Sequence, residues 1–358
     1  MTDKMRNEIG SEFWTQPPSG GSGVSRLLPP DFSSLFVLSG RTAQEIAVDD
    51  ILRSQAIKKA YLPSYCCHTM IEPFLRHHIA VEFYDITVSG GKIRREFNAD
   101  NDCELVFLID YFGYRESDTE EIARDQAEKG KILLYDATHS IFCENNDFSP
   151  YDYIFGSFRK WFGVNAGFVA KRDGQLTDTA LSPFDAYTQM RNRAFDLKAA
   201  YMDGKAVEKK EFLDLFASAE ETLETDYLRY APDTASLLKL RTADVDTVRH
   251  SRRENAKYLI ERLQTLSGID LPFGNVQTGD CPLFVPITVG DGKRDAVRKA
   301  LINAGIYLPV HWPLSALHTV GTAGEALYAS ELSCVCDQRY GEADMEHLYR
   351  LLRSSLSK

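Results

Sequence analysis

Three short stretches of the sequence combine residue types that could do chemistry together. The first is Ser39-Gly40-Arg41-Thr42, between a short apolar run and a helical pattern. A glycine there permits a tight turn, and the unpaired N–H groups that begin a helix bind anions. The Thr42 hydroxyl adds a donor, and Arg41 is best explained by a phosphate nearby, since a cation opposes the helix dipole. An ordinary serine cap beside a solvated arginine is the alternative.

The second stretch is the apolar run KILLYD (131–136), which ends in Asp136. Ligands of open α/β sheets bind at the carboxyl ends of the strands, so this carboxylate is placed to meet a ligand. His139 follows three residues later. Because aspartate is also common in turns and helix caps, a site and a simple turn are equally compatible with the pattern.

The third stretch is FGSFRKWFG (155–163), in which Lys160 lies among four aromatic residues. An amine held in an apolar setting has a lowered pKa, because desolvation disfavours its charged form. A neutral lysine is the nucleophile that a Schiff base needs, whereas Arg159 stays protonated. The alternative is a lysine stem packed on aromatic rings with its ammonium in water.

Together the three stretches contain the parts of a pyridoxal phosphate site. The turn at Gly40 would hold the phosphate, and Lys160 would form the Schiff base. Asp136 would keep the pyridine nitrogen protonated, so that the ring acts as an electron sink. Their order along the chain fits this interpretation, because Asp136 precedes Lys160 by twenty-four residues.

The surrounding pattern predicts the elements that must position these residues. Short β-rich runs alternate with helical patterns up to about residue 170, which is typical of an α/β domain with a largely parallel sheet. Residues 180–265 indicate successive helices, and LFVPITV (283–289) followed by a helix at 293–303 indicates a smaller C-terminal α/β domain. We expect an irregular segment at 1–30, a large cofactor domain at 31–235 and a small domain at 236–358.

Composition excludes several classes of function. The chain has 358 residues, 44% of them hydrophobic, as in a globular protein of about two domains. Its 52 acidic and 41 basic residues give a net charge of −11, which disfavours a nucleic-acid or anionic-membrane surface. Seven cysteines, an odd number, and the lack of an apolar leader or a membrane-length run predict reduced thiols in the cytoplasm. No metal is expected, since the Cys66-Cys67-His68 and Cys334-x-Cys336 motifs lack nearby partners at zinc-site spacing.

A family resemblance joins these motifs. The sequence YDATHSIF (135–142) with FGSFRKWFGVNAGFVA (155–170) resembles the core of the fold-type-I pyridoxal-phosphate enzymes, and more closely the DegT/DnrJ-type sugar aminotransferase family. Five further segments are similar to that family: SGRTA (39–43), LPSYCCHTM (62–70), DYFGY (110–114), AGIYLPVHWPLSALH (304–318) and DQRYGEADMEHL (337–348).

The resemblance implies an aspartate-aminotransferase-like fold and a role for each matching residue. It implies pyridoxal 5'-phosphate bound covalently to Lys160, which would also move the proton, with Asp136 on the pyridine nitrogen. His139 would lie near the phenolic oxygen of the ring. The remaining implied contacts are Gly40, Arg41, Thr42 and Ser157 to the phosphate, and His311 and Trp312 at the substrate mouth. Arg191, Asn192 and Arg193 would reach a partner's site, or form a solvated helix face.

Three features depart from the family pattern. The aromatic residue that usually stacks on the pyridine ring aligns with Cys67, so that Tyr65 or His68 could stack instead. The spacing from Ser157 to Lys160 is shorter than usual, and a single Gly167 replaces a glycine pair. These departures predict an outlying branch. The retained lysine argues against the branch that carries histidine there and dehydrates sugars.

The leading hypothesis is therefore a cytoplasmic, homodimeric aminotransferase. It would transfer an amino group from an amino acid, with glutamate the expected donor, to a keto-sugar in surface polysaccharide or glycoconjugate biosynthesis. Two alternatives remain. One is a pyridoxal-phosphate lyase or decarboxylase that acts on an amino acid, and the other is a fold-type-I regulator without turnover.

Overall fold

The structure, a computed structural model, describes residues 8–17 and 19–357. The strands in chain order are β1 (Ile9–Gly10), β2 (Ser33–Val37), β3 (Lys59–Pro63), β4 (Ala80–Ser89), β5 (Lys92–Glu96), β6 (Leu105–Ile109), β7 (Ile132–Asp136), β8 (Tyr153–Ser157), β9 (Gly167–Lys171), β10 (Ile269–Asp270), β11 (Phe284–Val289), β12 (Ile306–Tyr307) and β13 (Glu331–Val335). The α-helices are α1 (Gly40–Ser54), α2 (His68–Arg76), α3 (Ser117–Glu128), α4 (Asp185–Met202), α5 (Lys209–Thr225), α6 (Thr234–Arg241), α7 (Val245–Leu263), α8 (Arg294–Asn303), α9 (Thr322–Ser330) and α10 (Glu342–Leu356).

An eight-stranded sheet forms the centre of the molecule, in the order β2-β9-β8-β7-β6-β3-β4-β5. Strands β8, β7, β6, β3 and β4 are parallel to their neighbours in that series, whereas β9 and β5 run the other way. All residues of β6 and β7 are buried, as expected where helices cover both faces of a sheet. The predicted α/β class with a mostly parallel sheet is confirmed.

A second, antiparallel sheet of three strands, β10-β11-β13, lies in the C-terminal part of the chain. Helices α7 and α8 contact this sheet, and α10 packs on both helices. The sequence predicted β11 and α8 here, and the smaller C-terminal α/β unit is present. The boundaries 31–235 and 236–358 stay a prediction.

The N-terminal segment is more ordered than expected. Strand β1 pairs in parallel with β12, so that residues 9–10 join the C-terminal part of the chain. The Gly10 amide donates to the Tyr340 hydroxyl at 2.9 Å, which adds a second tie to the same part. Of the expected irregular segment at 1–30, residues 1–7 and 18 lie outside the described residues, and residues 9–10 form a short strand whose partner lies about 300 residues away in sequence. The bounds 1–30 stay a prediction.

Two further features of the described chain bear on the expectations. Among the residues described, we find no helix of sufficient length and apolarity to cross a membrane. All seven cysteines are free thiols, and six of them are buried.

Candidate active site

A cavity of about 560 Å³ brings most of the sequence-predicted site residues together. It lies at the carboxyl edge of the parallel strands β7 and β8, against the first turn of α1 and the segment that follows β12. Eight predicted residues line it: Gly40, Arg41, Asp136, His139, Ser157, Lys160, His311 and Trp312. Two others, Thr42 and His68, do not line it.

The first turn of α1 forms one end of the cavity. Ser39 caps the helix, because its Oγ accepts the Thr42 amide at 3.1 Å. The amides of Gly40 and Arg41 have no partner within the described chain, so they remain available to an anion. A Cβ on Gly40 would lie 3.1 Å from the Ser157 Cβ, a contact that leaves little space for any side chain. Glycine at this position therefore lets the turn approach Ser157 closely.

Thr42 is placed differently from the sequence prediction. Its side chain is fully buried, and its hydroxyl donates to the Tyr227 backbone oxygen at 2.6 Å. The hydroxyl also lies 3.0 Å from the Ser39 Oγ. Thr42 therefore stabilises the turn, and its donor is already used within the protein.

Asp136 ends β7 with its side chain buried in the cavity wall. One carboxylate oxygen accepts the Thr138 amide at 2.8 Å. Burial raises the pKa of Asp136 to about 6, although the hydrogen bonds from Thr138 and the charge of Lys160 act in the opposite direction. No cation of the described chain lies within ion-pair distance of this carboxylate, so a cationic partner from a ligand would be stabilised here.

Thr138 is a positioning residue that sequence reasoning did not single out. Its amide holds Asp136, its Oγ1 accepts the Ser157 amide at 3.1 Å, and its backbone oxygen accepts the Trp161 indole N–H at 2.7 Å. It thereby joins the ends of β7 and β8. Its position two residues after a strand-end aspartate is the only signal that the sequence offers.

Lys160 ends a 3₁₀ turn, Phe158–Lys160, that follows β8 directly. Because β7 and β8 are parallel neighbours, this turn lies beside Asp136. Phe158 and Trp161 point into the core, while Lys160 is exposed and lines the cavity. The expected apolar enclosure of the amine is therefore not provided by this chain alone, since the rings of Phe158 and Trp161 pack in the core and Phe155 alone of the four aromatic residues lines the cavity in the described chain.

His139, His311 and Trp312 form an aromatic wall of the cavity. Trp312 stacks on His139 with ring centroids 5.7 Å apart and an interplanar angle of 18°, and His311 meets both rings edge-on. The Nδ1 of His139 accepts the Phe112 amide at 3.1 Å. Burial, together with the charge of Lys160, lowers the pKa of His139 to about 3. The ring is therefore neutral, and its proton resides on Nε2.

The segment after β3 places Cys67 in the cavity. Cys67 precedes α2 and lines the cavity together with Thr69 and Met70. His68 is half-exposed beside Glu72, and Tyr65 is buried against other aromatic rings. Of the three residues considered for stacking on the ring, Cys67 alone contributes to the cavity in the described chain.

A charged cluster next to Lys160 was not predicted. Arg159 pairs with Glu220, and Arg191 bridges Glu220 at 3.4 Å and Glu12 at 3.1 Å. Burial would raise the pKa of Glu12, but Arg191 and Arg159 outweigh it and hold the pKa at about 2. The cluster ties the N-terminal segment to α4, α5 and the lysine turn.

The structure tests the solvated-face interpretation of MRNR (190–193) residue by residue, and the contact with a partner's site stays a prediction. Arg191 is 1% exposed and is paired within its own chain, so it is not part of a solvated face. Asn192 accepts a hydrogen bond from Asn165 at 3.1 Å. Arg193 is exposed and lies 3.7 Å from Glu211, as expected of a solvated face.

The residues present fit a pyridoxal phosphate molecule. The first turn of α1, with the amides of Gly40 and Arg41, lies close to Ser157 and can hold an anion. Among the described residues, the buried carboxylate of Asp136 has no ion-pair partner. Lys160 supplies a primary amine in the same cavity. The volume of about 560 Å³ lies within the usual range for sites of small molecules.

Comparison with known proteins identifies solved structures that share the fold of this chain. No family model and no curated protein matches the chain. Among solved structures, Helicobacter pylori PseC, an aminotransferase involved in the biosynthesis of pseudoaminic acid, matches with a TM-score of 0.69 at 11% identity, over 98% of this chain and 100% of that one. The aminotransferase TlmJ from Streptoalloteichus hindustanus matches with a TM-score of 0.65 at 16% identity, over 96% and 92% of the two chains.

The chain has the fold of the sugar aminotransferases. These proteins are fold-type-I pyridoxal-phosphate enzymes. One similar structure, Spr1654 from Streptococcus pneumoniae, is a PLP form, with a TM-score of 0.63 at 13% identity over 97% of this chain and 93% of that one. The fold implied by the DegT/DnrJ resemblance is thereby confirmed.

Proposed function

We propose that this chain is a pyridoxal-phosphate aminotransferase that transfers an amino group from glutamate to a keto-sugar. The observation that carries the proposal is the meeting of the Gly40 turn, Asp136 and Lys160 in one cavity. The nearly full-length similarity to aminotransferase structures supports the class of reaction.

Each residue of the cofactor region has a separate task. The amides of Gly40 and Arg41, with Ser157, bind the phosphate. Asp136 holds a proton on the pyridine nitrogen, which lets the bound cofactor act as an electron sink. Lys160 supplies the amine that would hold the cofactor covalently and that could move a proton at the same place. The Nε2–H of His139 would be available to the phenolic oxygen of the cofactor, since its Nδ1 is occupied by the Phe112 amide.

The small-domain side of the cavity suits a sugar. It presents aromatic surface from Phe284 and Trp312, and polar groups from Tyr307, Arg298 and His311. Sugar rings have apolar faces and hydroxylated edges, so such a mixed wall can bind both. A sugar acceptor is consistent with a role in surface polysaccharide or glycoconjugate biosynthesis.

A half-reaction tests the proposal. The full chain loaded with pyridoxal phosphate and incubated with glutamate should yield one pyridoxamine phosphate and one 2-oxoglutarate per bound cofactor, both measured by mass spectrometry. No keto-sugar is needed, because amine transfer proceeds in two separable halves. Alanine and aspartate, tested in parallel, report the selectivity for the donor.

Two results would contradict the aminotransferase proposal. Release of ammonia or carbon dioxide with the cofactor unchanged would favour the lyase or decarboxylase. Cofactor that binds but stays unchanged with every amino acid would favour a regulator without turnover.

We extend the proposal to a cytoplasmic homodimer. Lys160 is exposed in the single chain, and a second copy over the cavity mouth would shield it. Leu314 and Leu317, on the segment after Trp312, are 47% and 38% exposed and would be covered by the same copy. The seven free thiols suit a reducing compartment.

Light scattering tests the assembly. We expect twice the mass of one chain for the wild type and a shift towards one chain mass for the Leu314→Glu, Leu317→Glu double variant, because charge in an interface is costly. Leu238→Glu, at a 57% exposed leucine of α6, is the matched control and should leave the mass unchanged. A wild-type chain that stays a monomer at micromolar concentration would reject the dimer.

A further inference from the structure

A buried chain of three polar residues leads from the aromatic wall into the small domain. The His311 Nδ1 lies 2.8 Å from the Ser333 Oγ, and Ser333 in turn donates to a carboxylate oxygen of Glu331. The second oxygen of Glu331 accepts the His311 backbone amide at 2.7 Å. The imidazole of His311 is thus connected to a carboxyl group through one hydroxyl.

Within the described residues, this row of three side chains reaches the cavity through His311. Glu331 and Ser333 are fully buried, and His311 is 3% exposed and lines the cavity. Within the described residues, the Nε2 of His311 has no hydrogen-bonding partner. When Glu331 is ionised, Ser333 donates to it and must accept the Nδ1–H of His311, so that Nε2 carries a free lone pair. When Glu331 is protonated, the two side-chain hydrogen bonds reverse, the His311 backbone amide still donates to Glu331, and Nε2 carries a proton.

We propose that His311, Ser333 and Glu331 form a proton relay that exchanges one proton between an ammonium group of the bound ligand and the Glu331 carboxylate. His311 Nε2 takes the proton as the ligand N–H bond breaks. The Nδ1 proton then passes to the Ser333 oxygen, and the Ser333 hydroxyl proton passes to Glu331. The ligand loses one positive charge and Glu331 one negative charge, so no charge remains on the imidazole. The reverse sequence returns the proton.

The acidities of the two ends favour transfer through the imidazole. Burial raises the pKa of Glu331 to about 8, even though Ser333, the His311 amide and Arg294 act to lower it. Burial lowers the pKa of His311 well below its usual value. A proton taken up at Nε2 is therefore more stable on Glu331, and both states of the carboxyl are accessible near neutral pH.

The other titratable groups near the relay do not take the place of Glu331 as its proton acceptor. On the Glu331 side, Arg294 donates to the Glu331 backbone oxygen at 3.1 Å, and the neutral Tyr65 and Cys334 are nearby, each with a pKa raised by burial. On the His311 side, His139 and the charge of Lys160 both disfavour an imidazolium. In the described chain, Glu331 is the only carboxylate hydrogen-bonded to this chain of residues.

The relay extends the proposed function and rests on it. In neutral solution the amino group of an amino acid is an ammonium ion. This ion has no lone pair, so it must lose a proton before its nitrogen can act as a nucleophile. His311 and its two partners would accept that proton inside the cavity. Ser333 and Glu331 are thus positioning residues, because they act through His311.

Nitrogen NMR of the full chain with ¹⁵N-labelled histidine tests the relay without any turnover. Spectra from about pH 6 to about pH 10 report which nitrogen of each imidazole carries the proton. For His311 we expect Nε2 to be protonated at the lower pH and to lose that proton as the pH rises through about 8. In Ser333→Ala this change should be lost, and in Glu331→Gln a single tautomer should persist throughout.

A matched control is provided by a second serine–histidine pair. The Ser315 Oγ lies 2.9 Å from the His318 Nδ1 on a partly exposed segment, and among the described residues no carboxylate is hydrogen-bonded to either side chain. Ser315→Ala should alter the His318 signals and leave the His311 titration unchanged. In the glutamate half-reaction, Ser333→Ala should lower the maximal single-turnover rate constant about 10²-fold, with little change in the glutamate concentration that gives half of that rate, as expected for lost proton transfer.

The outcomes separate the relay from the function. The relay is overturned if His311 of the wild type keeps one tautomer across the pH range. It is also overturned if His311 of Ser333→Ala still changes tautomer as the wild type is expected to do. Both results count even if glutamate is converted. A His311 that titrates as described in a chain that never converts glutamate supports the relay and rejects the aminotransferase.

Discussion

Lys160→Ala should abolish the visible absorbance band of the protein incubated with pyridoxal phosphate. The band requires a Schiff base between the cofactor and an amine. Among the residues that the structure describes, Lys160 is the one lysine in the cavity lining. Its removal should therefore eliminate covalent attachment, while the phosphate cradle at Gly40 and Ser157 still binds the cofactor non-covalently.

Absorbance spectra and borohydride reduction measure this effect. In the wild type, reduction should fix the cofactor mass on the peptide that contains Lys160, and in Lys160→Ala no peptide should carry it. Lys160→Arg separates charge from nucleophilicity, because a guanidinium keeps the positive charge and cannot form the adduct. It should be as colourless as the alanine variant.

A surface lysine provides the control. Lys210 lies on α5 with 82% of its side chain exposed, and Lys210→Ala should retain the full band. A band that persists in Lys160→Ala would show that another amine holds the cofactor, and the assignment of Lys160 would then fall.

The central sheet could be predicted because its inner strands are short apolar runs. The run KAYLP (59–63) coincides with β3, and KILLYD (131–136) contains β7. Strand β5 was missed because its sequence, KIRRE (92–96), is mostly charged. It lies at the sheet edge and pairs with β4, and its two buried side chains are Ile93 and Arg95, the latter held in ion pairs with Glu116 and Asp118. Charged residues on an edge strand also discourage pairing with other chains.

The site could be predicted where its residues stand at strand ends. Asp136 and Lys160 follow two neighbouring parallel strands, so that local sequence places both at one edge of the sheet. The use of Thr42 could not be predicted, since its acceptor is the backbone of Tyr227, 185 residues away. The relay from His311 to Glu331 depends in the same way on tertiary packing, because twenty residues and a helix separate its ends.

Asp136→Asn should lower the rate of the glutamate half-reaction by about 10²- to 10³-fold, the effect of removing one strong electrostatic contact from a reacting centre. Asparagine has the same shape and can still accept the Thr138 amide. It has no charge to hold the proton on the pyridine nitrogen. Single-turnover absorbance measures the rate.

A carboxylate at the amino ends of the same parallel strands serves as the control. Asp152 precedes β8, binds the Leu133 amide at 2.8 Å, and also has a pKa raised by burial. It does not line the cavity, so Asp152→Asn should leave the half-reaction rate unchanged. Equal loss of rate in the two variants would mean that Asp136 acts through the fold and not through the cofactor.

The same Asp136→Asn substitution should make the cofactor-free protein more stable at neutral pH. Burial raises the pKa of Asp136 from 3.8 to about 6, so its protonated form is favoured by folding. That contribution is complete below about pH 4 and is lost as the pH rises through about 6, at up to about 3 kcal/mol, since one pKa unit corresponds to about 1.4 kcal/mol. The unfolding free energies of the two proteins in urea should therefore agree near pH 4, separate as the pH rises from about 4 to about 6, and differ by a constant amount above that. Bound pyridoxal phosphate should reverse the order, because a protonated ring nitrogen stabilises the aspartate and not the asparagine. This reversal would show that the Asp136 carboxylate lowers the stability of the cofactor-free protein and is useful only when it pairs with the ring nitrogen of the cofactor.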